Sequence, residues 1–331
     1  MSRIVLHVGI HKTGTTSIQD TLCANIDRLA ETGLVYPRPQ YGTGHHELLS
    51  GRAEMSGLLP LAYSPDGGAD ALWQKILRDH ACSDRTVIIS SEVLSKHGGD
   101  VADRMAWLAR LTAPFDERVV VCMLRNQVAL IQSIYLEIAK KRAVPPFSQS
   151  LADACEKGGS LGTLTDFTQY FDVLAGAFGT EAVTVLNYDE LAGRPNGVVD
   201  ALLAQARPGA SIDTLGLQPG SWSNRSAEPL AVLAARLVQP DHALSPALVA
   251  RAEAALRTHF GRDLRTTLFS RAEIAPTRDH FTPHNNRLRA RLQQVGQDIT
   301  LDFPDWSDRV HREDINAGFW LELCRHLQAA A

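Results

Sequence analysis

Four short runs dominated by Val and Ile, "RIVLHV", "RTVIIS", "RVVVCML" and "AVTVLNY", are separated by longer segments in which apolar residues recur every three or four positions. Runs that are apolar on consecutive positions suit strands buried on both faces, and parallel neighbours need crossovers of the length that lies between these runs. The chain therefore reads as an α/β fold in which a central parallel sheet is flanked by helices. After Thr15 the apolar positions Ile18, Leu22, Ile26 and Leu29 predict a helix that runs to Gly33. After Arg125, the residues Val128, Ile131, Ile134, Tyr135 and Ile138 form a second stripe and leave Asn126, Ser133, Glu137 and Lys140 on the other side. From about Arg194 the character changes to Ala- and Leu-rich segments such as "EPLAVLAARLV" and "SPALVARAEAALRTHF", which predict a mostly helical C-terminal third. With no internal repeat, low-complexity tract or linker, the preferred reading is a single domain over residues 1–331, with an α/β core over 1–193 and a helical part over 194–331, and a separate C-terminal domain is the alternative.

Composition narrows the partners. A net charge of −4, with 33 basic against 37 acidic residues, provides no general basic field for nucleic acid, so any anion site must be local. The five cysteines are odd in number, scattered and without a CxxC pair, which indicates neither a disulfide framework nor a zinc site and suits a reducing cytoplasm. No stretch approaches the roughly 18 apolar residues of a membrane span, and the N-terminal run passes straight into a glycine-threonine loop without a cleavage-site pattern. The expectation is a soluble protein acting on a small-molecule or carbohydrate partner.

The first strand leads into "HVGIHKTGTTSIQ". Gly9 and Gly14 have the spacing of a GxxxxGK[ST] loop, but Thr15 follows Gly14 and the lysine, Lys12, lies inside the loop. The backbone part of the device survives: N–H groups at a helix start surround an anion, and Thr15, Thr16 and Ser17 add hydroxyls beside Thr13 and Gly14. A triphosphatase also needs an acidic residue to hold Mg²⁺. Here "TVIIS" ends in serines before Glu92 and "VVVCML" ends in Arg125, so a metal-dependent reaction has little support and no metal ligand is assigned.

"HKTGTTS" resembles the 5′-phosphosulfate loop of sulfotransferases that use 3′-phosphoadenosine-5′-phosphosulfate (PAPS), and "LRNQVALIQSIYLE" resembles their 3′-phosphate motif. "NYDEL" is similar to a tyrosine and acidic segment that follows a later core strand in that family. The resemblance implies a P-loop-like three-layer fold, PAPS as donor, and release of adenosine 3′,5′-bisphosphate. It also implies that Arg125 and Ser133 hold the 3′-phosphate, that Tyr188 lies at the nucleotide, and that Lys12 neutralises the leaving oxygen without a metal. Seven residues from Asn126 return Ser133 to within about 20° of the same helix face, which is compatible with that role. A late loop closes over the nucleotide in many members, and Trp222, Asn224 and Arg225 in "GSWSNRS" have suitable chemistry, although the family's usual Arg-Lys-Gly signature is absent.

Transfer to a hydroxyl or amine is assisted by a base that takes the acceptor proton. Glu92 directly follows a strand, where the family's small-molecule branch has a histidine; a glutamate at a helix start is also a common dipole partner. His45 and His46, in "YGTGHHELL", lie near where the polysaccharide branch has a glutamate. Glu92 is the favoured base, with His45 and His46 as acceptor contacts or alternative bases. Two other readings stay open from the residues alone: an ATP-dependent kinase with an aberrant loop, and a non-catalytic binder of adenosine nucleotides.

Overall fold

The computed structural model describes residues 1–49, 67–96, 101–220 and 227–328. Each Val/Ile run forms a strand: β1 is Arg3–His7, β3 Thr86–Ser90, β4 Glu117–Leu124 and β5 Val183–Asn187, and a two-residue β2, Leu34–Val35, completes the sheet. The order is β2-β3-β1-β4-β5, and every pairing is parallel. The helices in chain order begin with α1 Thr15–Ala24, α2 Ile26–Glu31, α3 Gly68–His80, α4 Val101–Leu111 and α5 Gln127–Lys141. Next come α6 Phe147–Glu156, α7 Phe167–Phe178, α8 Tyr188–Leu191, α9 Gly197–Ala206 and α10 Ile212–Leu215. The last are α11 Pro229–Val238, α12 Pro246–Phe260, α13 Arg271–Gln293 and α14 Ala317–Gln328. No described helix is long and apolar enough to cross a membrane.

The chain divides into two compact units, the first made of Met1–Arg125, Gly162–Trp222 and His284–Leu301, the second of Asn126–Leu161, Ser223–Pro283 and Asp302–Ala331. The first unit is the three-layer α/β body. On one face of the sheet Val5, Ile88, Val119, Val121 and Met123 pack with Ile18 and Leu22 of α1 and with Val199, Leu202 and Leu203 of α9. Strand alternation sends Val120 and Cys122 to the opposite face, where α7 lies against β4 and β5 and packs on α4. Ile4, Val5 and Leu6 are wholly buried, as a strand covered on both sides requires.

The helix expected from Thr15 to Gly33 is broken at Asn25. The Asn25 side chain donates to Thr21 O and Gln218 O and accepts from the Gln218 N–H. These bonds compete with the helical ladder and end α1, so α2 begins anew and runs to the turn at Gly33, whose φ is 80°.

The second unit is helical. Ala234 and Ala235 of α11 and Ala252 and Ala255 of α12 are fully buried, and such small side chains let these helices pack closely. Arg236 is buried among the ends of α5 and α11, where its guanidinium donates to the carbonyls of Ala139, Gln239, Pro240 and His242. A cation at two helix C-termini satisfies carbonyls that no longer have ladder partners.

Candidate functional site

Parallel strands place their carboxyl ends at one edge of the sheet, where ligands of open α/β folds gather. In this sheet β3 and β4 lie on either side of β1. The residue groups that follow these strands therefore flank the β1 loop from opposite sides: Glu92 beyond β3, and Arg125 beyond β4 with Tyr188 beyond β5. Close approaches confirm the placement. A Cβ on Gly9 would fall 2.8 Å from Glu92 Cα, and one on Gly14 would fall 3.3 Å from the Tyr188 ring.

The first half of the loop is stitched to β4. Val8 N–H donates to Val121 O, Ile10 N–H to Met123 O, and Met123 N–H to Gly9 O. Thr13, fully buried, turns its hydroxyl back onto Ile10 O at 2.5 Å and so contributes to any ligand through its backbone. Gly9, Lys12 and Gly14 have φ of 82°, 65° and 78°. The left-handed conformation is unremarkable for the glycines and costly for Lys12, the kind of local strain that collects at ligand sites. Helix α1 starts at Thr15 with no side-chain cap, leaving its first N–H groups open. The Thr15 hydroxyl is buried and has no hydrogen-bond partner, whereas Thr16 is exposed and Ser17 half-buried. A buried orphan hydroxyl at an uncapped helix N-terminus is a cradle suited to an anion with several oxygens.

On the β4 flank the Arg125 guanidinium lies 5.2 Å from the Tyr188 ring centroid, and its Nε is 3.3 Å from Asp189 Oδ1. The angle of that ion pair leaves Nε without a hydrogen bond. Tyr188 is set by Asn187, whose side chain caps α8 by accepting from the Asp189 N–H and donates to Thr300 O. The structure thus brings Lys12's loop, Arg125 and Tyr188 together within the first unit. Ser133 lies half-buried on α5 in the second unit. Trp222, Asn224 and Arg225 lie outside the described residues.

The β3 flank is a buried polar cluster. Glu92 Oε2 accepts from the Gln19 amide of α1 at 3.0 Å, and Glu92 Oε1 lies 3.9 Å from His46 Nε2. His46 Nδ1 is 2.8 Å from the Ser91 hydroxyl. Burial works to raise the Glu92 pKa, but the His46 and His11 rings and the Gln19 amide outweigh it and hold the carboxyl below its usual range. Burial lowers the pKa of both His11 and His46, so at neutral pH the cluster is one carboxylate between two neutral imidazoles.

His45 differs from its neighbour. It is 1% exposed, its Nε2 is 2.6 Å from Pro37 O, and its Nδ1 accepts from the Ser90 N–H at 3.1 Å. Those two backbone partners fix a neutral ring with the proton on Nε2 and commit both nitrogens to holding the segment before His46 against β3. Burial lowers its pKa to about 4.

Sequence reasoning missed Gln19 and His11. Gln19 lies four residues after Thr15, on the same helix face, which was a usable signal. His11 is inside the loop, and its Nε2 is buried without a hydrogen-bond partner; a single histidine in a loop carries no such signal. His7, at the end of β1, is fully buried with Nδ1 2.9 Å from the Ser90 hydroxyl, and burial pushes its pKa down to about 4.

No protein-family model matches the chain, and no curated protein matches it. Among solved structures the chain is similar to the crystal structure of a sulfotransferase from Alicyclobacillus acidocaldarius, with a TM-score of 0.40 and 17% identity over 90% of this chain and 98% of that one.

Proposed function

We propose that the protein is a PAPS-dependent sulfotransferase that moves a sulfuryl group to a hydroxyl or amine of a carbohydrate or small metabolite and releases adenosine 3′,5′-bisphosphate. The observation that supports this most is the loop itself: an uncapped α1 N-terminus with the orphan Thr15 hydroxyl, and a lysine inside the loop instead of after it. PAPS, when bound, supplies the sulfuryl group and a phosphate leaving group. The N–H groups of residues 13–17 and the Thr15 hydroxyl would hold the 5′-phosphate. Lys12 would neutralise the oxygen that gains charge as the S–O bond breaks. Arg125, steadied by Tyr188 and Asp189, would pair with the 3′-phosphate. Glu92, ionised and held by Gln19, would take the acceptor proton, with His46 at its side to contact the acceptor and His45 to position His46.

Calorimetry with adenosine 3′,5′-bisphosphate, adenosine 5′-monophosphate and Mg-ATP tests the reading. The bisphosphate should bind about 10- to 100-fold more tightly than the monophosphate, since a charged hydrogen bond contributes roughly 1.5 to 3 kcal/mol, and Arg125→Ala should abolish that margin. Equal affinity for the two adenosine nucleotides, or preferential binding of Mg-ATP, would sink the proposal, the latter in favour of a kinase.

A further inference from the structure

The two oxygens of the Glu92 carboxylate have different settings. Oε2 accepts from the Gln19 amide at 3.0 Å. The same amide donates toward Ser90 O and the Ser90 hydroxyl at 3.4 and 3.3 Å, and a Cβ on Gly44 would fall 2.6 Å from it. Gln19 therefore has no room to turn, and it holds Oε2 on the α1 side. Oε1 is left facing His46 Nε2 across 3.9 Å, too far for a direct hydrogen bond. The Glu92 and His46 side chains are 20% and 15% exposed, so this pair, unlike the rings of His7 and His45, is reached from solvent.

The hydrogen on the His46 ring can be placed. Burial lowers the His46 pKa, so a single ring nitrogen carries hydrogen at neutral pH. Nδ1 lies 2.8 Å from the Ser91 hydroxyl, which is buried and has no other hydrogen-bond partner among the described residues. With hydrogen on Nδ1, the hydroxyl's own hydrogen would have no acceptor, a costly arrangement for a buried group. Ser91 therefore donates to Nδ1 and the ring hydrogen sits on Nε2, directed at the carboxylate side where a lone pair would be repelled.

We infer that His46 and Glu92 select an oxygen nucleophile over a nitrogen one, with the acceptor hydroxyl lying between them, accepting from His46 Nε2–H and donating to Glu92 Oε1. The inference rests on the sulfotransferase reading above and narrows its acceptor from a hydroxyl or amine to a hydroxyl. An oxygen about 2.8 Å from both atoms closes a triangle on the 3.9 Å edge. A hydroxyl oxygen has two lone pairs. One accepts from Nε2–H and the other forms the new O–S bond. The hydroxyl proton passes to Oε1, and the electron pair of the breaking S–O bond leaves on the donor's phosphate oxygen. A neutral amine has one lone pair. Directed at sulfur, it leaves Nε2–H unmatched; directed at Nε2–H, it cannot attack.

Two experiments test this. Long-range proton–nitrogen NMR of the whole, nucleotide-free protein carrying ¹⁵N-labelled histidine rings reads the tautomer, with His46→Gln identifying the signal. The expected form at neutral pH is Nε2–H; an Nδ1–H or doubly protonated ring would overturn the inference. The second experiment measures sulfuryl transfer from PAPS to phenol and to aniline, a matched pair whose amine is neutral at that pH. The phenol-to-aniline ratio of kcat/KM should fall about tenfold or more in His46→Leu, and His46→Gln, whose amide N–H can replace Nε2–H, should restore much of it. Comparing ratios between proteins removes the intrinsic reactivity of the probes. If His46→Leu does not fold, the tautomer decides the matter. An unchanged ratio in His46→Leu, or no transfer to phenol by an enzyme that prefers adenosine 3′,5′-bisphosphate to the monophosphate, would overturn this inference and leave the sulfotransferase reading standing. Absence of that nucleotide preference would overturn both.

Discussion

His45 should give this protein a measurable sensitivity to acid. The Ser90 N–H points at Nδ1, so a second proton on the ring would set two donors against each other. The ring would also be charged where water cannot reach it. Its pKa is lowered from 6.5 to about 4, and that of the equally buried His7 likewise. At about 1.4 kcal/mol per pH unit, the penalty for protonating each ring in the folded state is about 3 kcal/mol. The unfolded chain protonates near 6.5 and the folded chain near 4. Stability is therefore full above about pH 6.5 and falls as pH drops toward 4, because in that window the unfolded state binds more protons. At pH 5.5 an unfolded histidine is about nine-tenths protonated and a folded one with a pKa near 4 almost not at all. Unfolding should thus take up about 0.9 proton for each of the two rings. Calorimetric unfolding at pH 5.5 in buffers of different ionisation enthalpy measures this uptake, and His45→Gln should lower it by about 0.9 proton. Because the comparison is between two proteins, the remaining histidines cancel. An uptake unchanged by His45→Gln would refute the assignment of a neutral, locked imidazole, whatever the variant did to overall stability.

Thr15→Val removes a buried hydroxyl that has no partner in the free protein. Urea unfolding of the nucleotide-free variant should show unchanged or higher stability, while calorimetry shows bisphosphate affinity reduced about 10- to 100-fold, the range of one lost hydrogen bond to a charged group. Glu92→Gln keeps the side chain's shape, so transfer measured with saturating donor should drop by roughly 10² to 10⁴ with bisphosphate affinity near normal. Turnover largely retained in Glu92→Gln, with a dead His46→Ala variant, would move the base to His46.

The parts of the fold that were legible in the sequence are those in which consecutive residues share one environment. The Val and Ile runs of β1, β3 and β4 are buried on both faces along most of their length, and such runs carry their own signature, while in the edge strand β5 burial alternates. The two residues of β2 are too few to show any period, and the break after α1 depends on Asn25 meeting Gln218, a partner 193 positions away. The β1 loop could be recognised because its glycines and hydroxyls lie within one short segment. The β3 flank could not be assembled in the same way. His45 and His46 are adjacent, yet one is locked between Pro37 and Ser90 and the other faces Glu92, a difference set by β3 and invisible in the dipeptide. Likewise the division into two units follows packing: α9 belongs with the sheet although it comes after residue 193, and α5 belongs with the helical unit although it comes before.

The contact between Gly9 and Glu92 has a consequence for how the two flanks work together. With φ of 82° and Glu92 Cα 2.8 Å from where a side chain would begin, position 9 is closed to every other residue on two independent grounds. The nearer of these constraints comes from the carboxylate segment and would hold even if no anion ever bound. The main chain of the loop is in turn anchored to β4, so Glu92 rests on a surface that cannot yield. The N-terminus of α1 and the Glu92 carboxylate therefore share one bearing, and their separation is fixed by the backbone when the chain folds.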